Sequence, residues 1–437
     1  NHLKFPLTNA QKKVIKEIRA DVKNNQQMNR LLQGDVGSGK TIVALLSMLI
    51  AIDNGYQACI MAPTEILAQQ HFKTMSQELK SLNIKIDILT GSKKSKGRKV
   101  LLEELKNGDI NLLIGTHALL EDTVEFSNLG FVVIDEQHRF GVAQRAKLWK
   151  KNKYPPHILV MTATPIPRTL SMTLYGDLDV SVIDELPPGR KEIKTLWKSD
   201  SSRLNIIRFM HEQIKEGRQV YIVFPLIDES AKLDYKNLIE GFDSIVREFP
   251  LPDFQVSVVH GQMKSADKEY EMQRFVEGKT DILVATTVIE VGVNVPNASV
   301  MVIESAERFG LSQLHQLRGR VGRGANQSYC VLMSGHKVSA DGKTRLQTMV
   351  DTNDGFKLAE VDLKLRGPGD MMGTKQSGLL NFKIADLIKD NKILIYAREQ
   401  AQILLEDDFD LSKSENINIA RFYRPYARER MGWSRIS

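Results

Sequence analysis

A glycine-rich segment near the start of the chain has the spacing of a phosphate-binding loop. The sequence LLQGDVGSGKT contains G-x-x-x-x-G-K-T, with Gly34, Gly39, Lys40 and Thr41 at the motif positions and Gly37 between them. Glycines let backbone N–H groups surround phosphate oxygens, and a following helix adds partial positive charge. In this nucleotide site Lys40 would reach the phosphates and Thr41 would ligate Mg²⁺. The alternative is a glycine-rich turn without a ligand.

A second candidate group is an acidic pair at the end of an apolar run. The sequence FVVIDEQH brings Asp135 and Glu136 to the carboxyl end of a predicted strand, where ligands of open α/β sheets bind. Asp135 suits the Mg²⁺ shell, and Glu136 suits the base that orients or deprotonates a water molecule. Such a pair can instead cap a helix, but the phosphate loop upstream favours catalysis.

A third group is rich in arginine. In QLHQLRGRVGRG, Gln316, Arg320 and Arg323 stand at i, i+4 and i+7, which predicts one face of a helix. Glycines at 319 and 322 would allow close approach of another surface. Arginines supplied across a cleft can neutralise charge on a transferring phosphoryl group. The alternative, a basic helix facing solvent or nucleic acid, is less favoured because two nucleotide motifs lie upstream.

The elements that must position these groups follow a repeated pattern. Short β-branched runs alternate with helical patterns, which predicts parallel β-α-β units. The pattern restarts after the proline-rich stretch at 184–197, which is typical of a linker. The sequence therefore predicts an α/β fold with two doubly wound parallel-sheet domains, at 1–190 and 191–337. A helical hairpin with its loop (338–378) and a helical tail (379–437) are expected to follow.

Composition sets limits on the class of protein. A length of 437 residues favours two domains, and 42% hydrophobic with 26% charged residues is typical of soluble globular chains. No run reaches the roughly 18 to 20 apolar residues of a membrane span. The net charge of +7 permits a polyanionic partner without requiring one. Cys59 and Cys330 stand apart in strand-like runs, which favours buried reduced thiols over a disulfide.

Taken together, the motifs resemble the motors of superfamily 2 helicases, which have two RecA-like domains. Gln11 in FPLTNAQ resembles the glutamine that reads adenine. Further stretches resemble the strand-contacting and coupling motifs: APTEILAQQHF (62–72), LTGS (89–92), GTHALL (115–120), TATPIPRTL (162–170), HGQM (260–263) and TTVIEVGVNVP (286–296). The combination of GDVGSGKT, DEQHRFG, TATPIPRTL and QLHQLRGRVGRG most closely resembles the RecG family of bacterial branched-DNA translocases.

The resemblance implies an ATP- and Mg²⁺-dependent translocase on double-stranded and branched DNA. Its substrates would be stalled forks, Holliday junctions and R-loops in recombination and repair. The implied location is the bacterial cytoplasm, in association with the nucleoid, with no membrane attachment. Single-stranded DNA-binding protein is a candidate partner. Three alternatives remain: a translocase like the transcription-repair coupling factor, a nucleotide-gated scaffold that holds junctions without stepping, and an RNA helicase.

The resemblance also names candidate DNA and coupling residues. Small residues at strand ends could contact backbone phosphates, although each alone could be a cap or turn: Thr64, Gly91, Thr116, Gly261 and Thr286. The stretch DLKLRGPGDMMGTKQSG (362–378) follows the predicted hairpin and resembles the RecG translocation motif. Its candidate coupling residues are Arg366, Lys375 and Gln376. The alternative is a flexible linker.

The chain opens with NHLKFPLTNAQ, without an initiator Met. We therefore expect the sequence to begin inside a longer protein. RecG relatives carry an N-terminal wedge domain that splits junctions, and no stretch of 1–437 resembles it.

Overall fold

The computed structural model describes residues 6–24, 26–91, 95–136, 148, 151–152, 154–162, 178–187, 191–225, 231–286, 295–324, 326–370, 385 and 389–434. Within these ranges the chain forms two parallel β-sheets in succession, followed by helices. The last strand of the first sheet ends at Ile183, and the first strand of the second begins at Lys194. The domain limits at 190, 337 and 378 stay predictions.

The first sheet has seven strands. They are β1 Asn29–Gly34, β2 Gln57–Met61, β3 Ile86–Leu89, β4 Leu112–Gly115, β5 Leu129–Asp135, β6 His157–Thr162 and β7 Asp179–Ile183. Their order across the sheet is β3-β4-β2-β5-β6-β1-β7, and all described pairs are parallel. The α-helices described around it are α1 Asn9–Asp21, α2 Lys40–Asp53, α3 Glu65–Glu78 and α4 Ser95–Asn107.

The second sheet has six strands. They are β8 Lys194–Ser199, β9 Gln219–Val223, β10 Val256–Val259, β11 Ile282–Ala285, β12 Ala298–Ile303 and β13 Tyr329–Ser334, in the order β10-β11-β9-β12-β13-β8. Its α-helices are α5 Arg203–Lys215, α6 Ala231–Glu248, α7 Ser265–Val276 and α8 Leu311–Arg318. When the strands are numbered separately within each sheet, both sheets have the order 3-4-2-5-6-1 across the sheet. The first sheet has β7 as an additional strand beside β1.

Both sheets are covered on their two faces, as parallel sheets require. Successive β1 residues show this, because Leu31 and Leu32 belong to hydrophobic clusters on opposite faces. The second sheet likewise separates two clusters, with Tyr221 of β9 in one and Ile222 in the other. The predicted α/β class with two tandem doubly wound domains is confirmed.

The predicted helical hairpin is present after the second sheet. It consists of α9 Ala340–Asp351 and α10 Gly355–Asp370, and α11 Asn391–Asp407 and α12 Ile417–Ser434 follow. Leu346 and Met349 of α9 are buried in one hydrophobic cluster with α8, so the hairpin packs directly on that helix. Val350 of the same helix is 37% exposed. Gly367, with φ of 75°, interrupts the helical conformation of α10.

Two smaller expectations concern the thiols and membrane attachment. Cys59 and Cys330 are free and buried, and burial raises the pKa of each thiol to about 12. Both therefore remain protonated at neutral pH. Among the helices that the structure describes, none has the length and apolar character needed to cross a bilayer. Short 3₁₀ turns complete the described elements: His117–Leu120, Asp200–Ser202, Ala306–Arg308 and Ser414–Asn416.

Candidate nucleotide site and DNA-contacting edge

The phosphate loop joins the end of β1 to the start of α2. Gly37 and Gly39 have φ of 80° and 86°, a backbone region that disfavours side chains. At Gly34 a Cβ atom would lie 2.5 Å from Ser38 Oγ. The Ser38 hydroxyl is buried and has no hydrogen-bond partner in the described ranges, although buried polar atoms are normally bonded. The glycines therefore shape a cradle in which a buried hydroxyl can still bond a ligand.

Lys40 is the first residue of α2 and lies inside this cradle. Its Nζ donates to the carbonyl of Gly34 at 2.6 Å and to that of Asp35 at 2.9 Å. Burial lowers the pKa of Lys40, and the negative charges of Glu136, Asp135 and Asp35 partly offset that effect. The ammonium is thus held at the loop, close to the acidic pair. Thr41 follows it in the first turn of α2.

Gln11 connects α1 to the phosphate loop. Its Nε2 donates to the Ser38 carbonyl at 2.8 Å, and its Oε1 accepts from the Thr8 amide at 2.9 Å. Thr8 Oγ1 accepts from the Gln11 amide in return, which completes a capping box at the helix start. A Cβ on Gly39 would lie 2.3 Å from Gln11 Nε2. The glutamine is therefore placed beside the cradle, and its contact with adenine stays a prediction.

Asp135 is the last residue of β5 and Glu136 follows it, at the same edge of the sheet as the phosphate loop. Glu136 has φ of 55°, an unusual conformation for a residue with a side chain. Asp135 Oδ2 lies 2.9 Å from His71 Nε2, and both side chains are largely buried. Sequence reasoning missed His71, which lies on α3 inside the motif 62–72. A histidine bonded to a carboxylate fixes the orientation of that carboxylate.

The arginine segment differs from the expected helix. Gln316 lies half-buried on α8, but that helix ends at Arg318, with Gly319 at its cap. Arg320 and Arg323 therefore lie beyond the helix rather than on its face. Gly322 has φ of 77°, and this left-handed turn breaks the helical periodicity on which the expectation rested.

Despite this correction, the arginine segment lies against the phosphate loop. A Cβ on Gly319 would lie 2.8 Å from Val36, so the glycine allows the close approach expected of it. Arg323 contributes to lowering the pKa of Lys40, which places its positive charge near the cradle. Arg320 is only 5% exposed. The structure thus brings the two sheets together at the phosphate loop.

The candidate DNA residues lie at corresponding strand ends of the two sheets. Thr116 follows β4 and Thr286 follows β11, and both are buried with hydroxyls that have no hydrogen-bond partner among the described residues. Gly91 and Gly261 follow β3 and β10 at the same edge. Thr64 instead caps α3, accepting from the Leu67 amide at 3.4 Å. Contacts of these residues with DNA stay predictions.

Arg366 connects the hairpin to the start of α8. Its Nε lies 3.0 Å from Asp362 Oδ1 on the same helix, and a Cβ on Gly310 would lie 2.0 Å from its Nη2. Asp362 Oδ2 in turn accepts from Ser312 Oγ at 3.3 Å. Lys375 and Gln376 lie outside the described residues, as do 163–170 and 287–294 of the coupling motifs.

Sequence reasoning also missed Asp35, His315 and Arg318. Asp35 is the residue after Gly34 in the phosphate loop, and its Oδ1 lies 2.9 Å from His315 Nε2 on α8. Arg318 is 2% exposed and is bonded to carbonyls of the hairpin. The identity of such residues gives no signal by itself, because each contact joins distant parts of the chain.

Two tandem RecA-like domains with a phosphate loop on the first and arginines from the second define a superfamily 2 helicase motor. Three family models match successive parts of the chain. They are DEAD/DEAH box helicase at 8–173, helicase conserved C-terminal domain at 203–325, and the C-terminal part of domain 3 of ATP-dependent DNA helicase RecG at 352–437. The chain belongs to the RecG family.

Individual relatives agree with this assignment. The chain is 52% identical over 417 residues to the ATP-dependent DNA helicase RecG of Synechocystis, covering 95% of this chain and 50% of that protein. It is 52% identical over 406 residues to RecG of Bacillus subtilis, covering 93% of this chain and 59% of that protein. It therefore spans between half and three-fifths of these curated relatives.

Solved structures show the same similarity. A structure of RecG bound to a three-way DNA junction matches with a TM-score of 0.76 and 45% identity, covering 90% of this chain and 51% of that one. Dbp5 of S. cerevisiae, bound to RNA and ADP BeF3, matches with a TM-score of 0.54 and 16% identity over 82% of this chain and 97% of its own. At that identity the likeness concerns the fold alone.

Proposed function

We propose that this chain is an ATP- and Mg²⁺-dependent motor that translocates on double-stranded DNA and remodels branched DNA. The observation that carries the proposal is the contact of the arginine segment with the phosphate loop, at Gly319 and Val36. A cleft closed by both domains can couple nucleotide turnover to domain movement. The RecG relative bound to a three-way junction supports branched DNA as the substrate class.

The residues around the phosphate loop fit a nucleotide with its metal. Among the described residues the buried hydroxyl of Ser38 has no hydrogen-bond partner, and Lys40 donates to two carbonyls of its own loop. A hydroxyl from Thr41 and a carboxylate from Asp135 are the hard oxygen donors that Mg²⁺ prefers. When bound, Mg²⁺ supplies positive charge that stabilises the transferring phosphoryl group.

The chain's own groups divide the remaining work. Lys40 binds phosphate oxygens, and Gln11 positions the adenine ring of the nucleotide beside the cradle. Glu136 accepts a proton from the attacking water or orients it. Arg320 and Arg323 neutralise the charge that develops on the phosphoryl group, and Gln316 supports them from α8.

Nucleic acid binds at the edge where β3, β4, β10 and β11 end. Within the described part of the chain the buried hydroxyls of Thr116 and Thr286 have no partner, so phosphate oxygens can satisfy them. Thr64 supplies the start of α3, where N–H groups and partial positive charge favour an anion. Gly91 and Gly261 allow the DNA backbone to come close. Arg366, with Lys375 and Gln376, transmits domain movement to the duplex.

The decisive experiment titrates ATP hydrolysis with linear duplex, single strand and three-way junction. We expect duplex-containing DNA to stimulate hydrolysis, and Lys40→Ala to abolish it because the phosphates lose their charged partner. No hydrolysis with any DNA would refute the motor and favour the junction-holding scaffold. Stronger stimulation by duplex RNA would favour the RNA helicase.

The setting of this activity is part of the proposal. The named relatives come from bacteria, so we place the chain in the bacterial cytoplasm, in association with the nucleoid. Single-stranded DNA-binding protein is the proposed partner at forks. A pull-down with that protein, repeated in high salt to remove shared DNA, tests the contact.

A further inference from the structure

One carboxylate of the phosphate loop contacts two separate elements that follow the first sheet. Asp35 Oδ1 lies 2.9 Å from His315 Nε2 on α8. Asp35 Oδ2 accepts from the backbone amide of Gly355, the first residue of α10, at 3.3 Å. The Asp35 side chain is 21% exposed and that of His315 is 8% exposed. A single side chain therefore joins the phosphate loop to α8 and to the turn of the hairpin.

The contact continues from His315 into the other helix of the hairpin. His315 Nδ1 lies 3.1 Å from Arg318 Nη2, and Arg318 Nη1 donates to the carbonyls of Met349 and Thr352 at 2.9 Å each. A guanidinium can only donate, so Nδ1 is an acceptor and Nε2 carries the hydrogen that points to Asp35. The end of α9 and the start of α10 are thus both bonded to this group.

The same loop residue also contacts Lys40. The Asp35 carbonyl accepts from Lys40 Nζ at 2.9 Å, as the Gly34 carbonyl does at 2.6 Å. A ligand that draws the ammonium away removes a hydrogen bond from the backbone of Asp35. Burial raises the pKa of Asp35, but its bonds to His315 and Gly355 outweigh that effect and lower the pKa overall. The carboxylate therefore stays ionised at neutral pH and keeps both contacts.

We propose that Asp35 is a positioning residue that couples the phosphate loop directly to the hairpin turn. The hairpin then responds to the nucleotide site through Asp35 and Gly355 as well as through the arginine segment. This inference rests on the proposed motor function and adds a second mechanical connection to it. It gives Asp35, which lies between Gly34 and Gly37 of the loop, a role in coupling the loop to the hairpin and not in phosphate binding.

Gly355→Pro is the sharpest test, because it removes the N–H donor without altering the phosphate loop. Proline is tolerated at the first position of a helix, where the amide has no partner within the helix. Gly355→Ala is the matched control, since it keeps the N–H group. Duplex-stimulated hydrolysis and base pairs unwound per ATP are measured for both. We expect the proline variant to hydrolyse ATP but unwind about 5-fold fewer base pairs per ATP, the loss of roughly one hydrogen bond.

Hydrogen exchange provides a readout that a purely structural role would not change. Peptides covering the hairpin turn and the first turn of α2 are followed with and without a non-hydrolysable ATP analogue. In the wild type, we expect the analogue to change exchange at both places. In Asp35→Ala, the response of α2 should persist and that of the hairpin turn should fall at least about 3-fold, because the connecting bonds are gone.

The outcomes separate this inference from the proposed function. A wild type without DNA-stimulated hydrolysis contradicts the motor itself. An active wild type whose Gly355→Pro variant unwinds as many base pairs per ATP as Gly355→Ala overturns the inference. An unchanged response of the hairpin turn in Asp35→Ala also overturns it. Asp35→Asn, which keeps one acceptor oxygen, should lie between the wild type and the alanine variant.

Discussion

The fifth strand ends in a similar way in the two domains, yet the residues at that end differ in chemistry. In the first domain β5 ends in Asp135, followed by Glu136 with φ of 55°. In the second, β12 is followed by Glu304 and then by Ser305 with φ of 46°. An acid and a left-handed residue thus recur at the same place. The backbone turn is shared, but a serine stands where the first domain has Glu136, the residue proposed to act on the attacking water.

The first helix start shows the same contrast. Lys40 begins α2 after β1, and Arg203 begins α5 after β8. Arg203 Nη1 and Nη2 each lie 2.8 Å from a carboxylate oxygen of Glu304. Arg203 of the second domain is therefore paired with Glu304 of the same domain, whereas Lys40 of the first domain is bonded to loop carbonyls. The ion pair at the start of α5 gives Arg203 a structural role. The glycine-lined loop around Lys40 leaves that side chain able to bind a ligand.

The strongest test of this contrast substitutes the residue with positive φ in each domain. Glu136→Gln should lower DNA-stimulated ATP turnover about 10²-fold or more, because it removes the base beside the cradle. Ser305→Ala, at the matching turn, should stay within about 2-fold of the wild type. Phosphate release measures both. Similar losses in the two variants would mean that the domains do not divide the chemistry in this way.

A second test concerns the support of Asp135, which bonds to a histidine where Glu304 of the second domain is held by an arginine. His71→Ala should raise the Mg²⁺ concentration needed for half-maximal turnover about 10-fold, because the carboxylate loses its orienting bond. Gln69→Ala, an exposed change on the same helix, is the control. Affinity for ATP without Mg²⁺ should not change. If it falls as much as the Mg²⁺ response, His71 acts on the fold instead.

The ion pair of the second domain should matter for stability. Arg203→Ala leaves Glu304 largely buried without its partner, which should lower the free energy of unfolding by about 2 kcal/mol. That figure allows for the 44% exposure of Arg203. Urea unfolding measures it. The double variant Arg203→Leu with Glu304→Leu should recover much of the loss. Turnover below the unfolding temperature should stay within about 2-fold of the wild type, unlike that of Lys40→Ala.

The smallest effects should be equal in the two domains. Thr116→Val and Thr286→Val remove hydroxyls at matching strand ends and nearly preserve side-chain shape. Each should weaken duplex binding about 5-fold, the worth of one hydrogen bond, as measured by fluorescence anisotropy. Stability should not fall, because neither hydroxyl bonds to any residue that the structure describes. A loss of stability with unchanged DNA affinity would make the threonines structural in both domains.

Local patterns predicted much of the fold. The β-branched runs indicated the parallel strands, and the phosphate-loop motif located Gly37, Gly39 and Lys40, whose conformations and contacts follow from residues within a short stretch. The periodicity of Gln316, Arg320 and Arg323 was misleading. A pattern of i, i+4 and i+7 requires an unbroken helix. The left-handed conformation of Gly322 is incompatible with one.

The missed residues form contacts that only the tertiary structure creates. His71 and Asp135 are 64 positions apart, and Asp35 and His315 are 280 apart. An aspartate or histidine in such a stretch is typical of many surface positions, so its identity carries little information. Which of them meet depends on strand order and on how the hairpin packs against α8.

The order of the strands also has a consequence for how the protein is made. Strand β1, which leads into the phosphate loop, pairs only with β6 and β7 among the described strands. A ribosome must therefore synthesise the chain through Thr162 before that strand can find its first neighbour. Until then the apolar strand β1 is unpaired, and nascent chains with exposed apolar segments are prone to aggregate. We expect the nucleotide cradle to be among the last parts of its domain to form during translation.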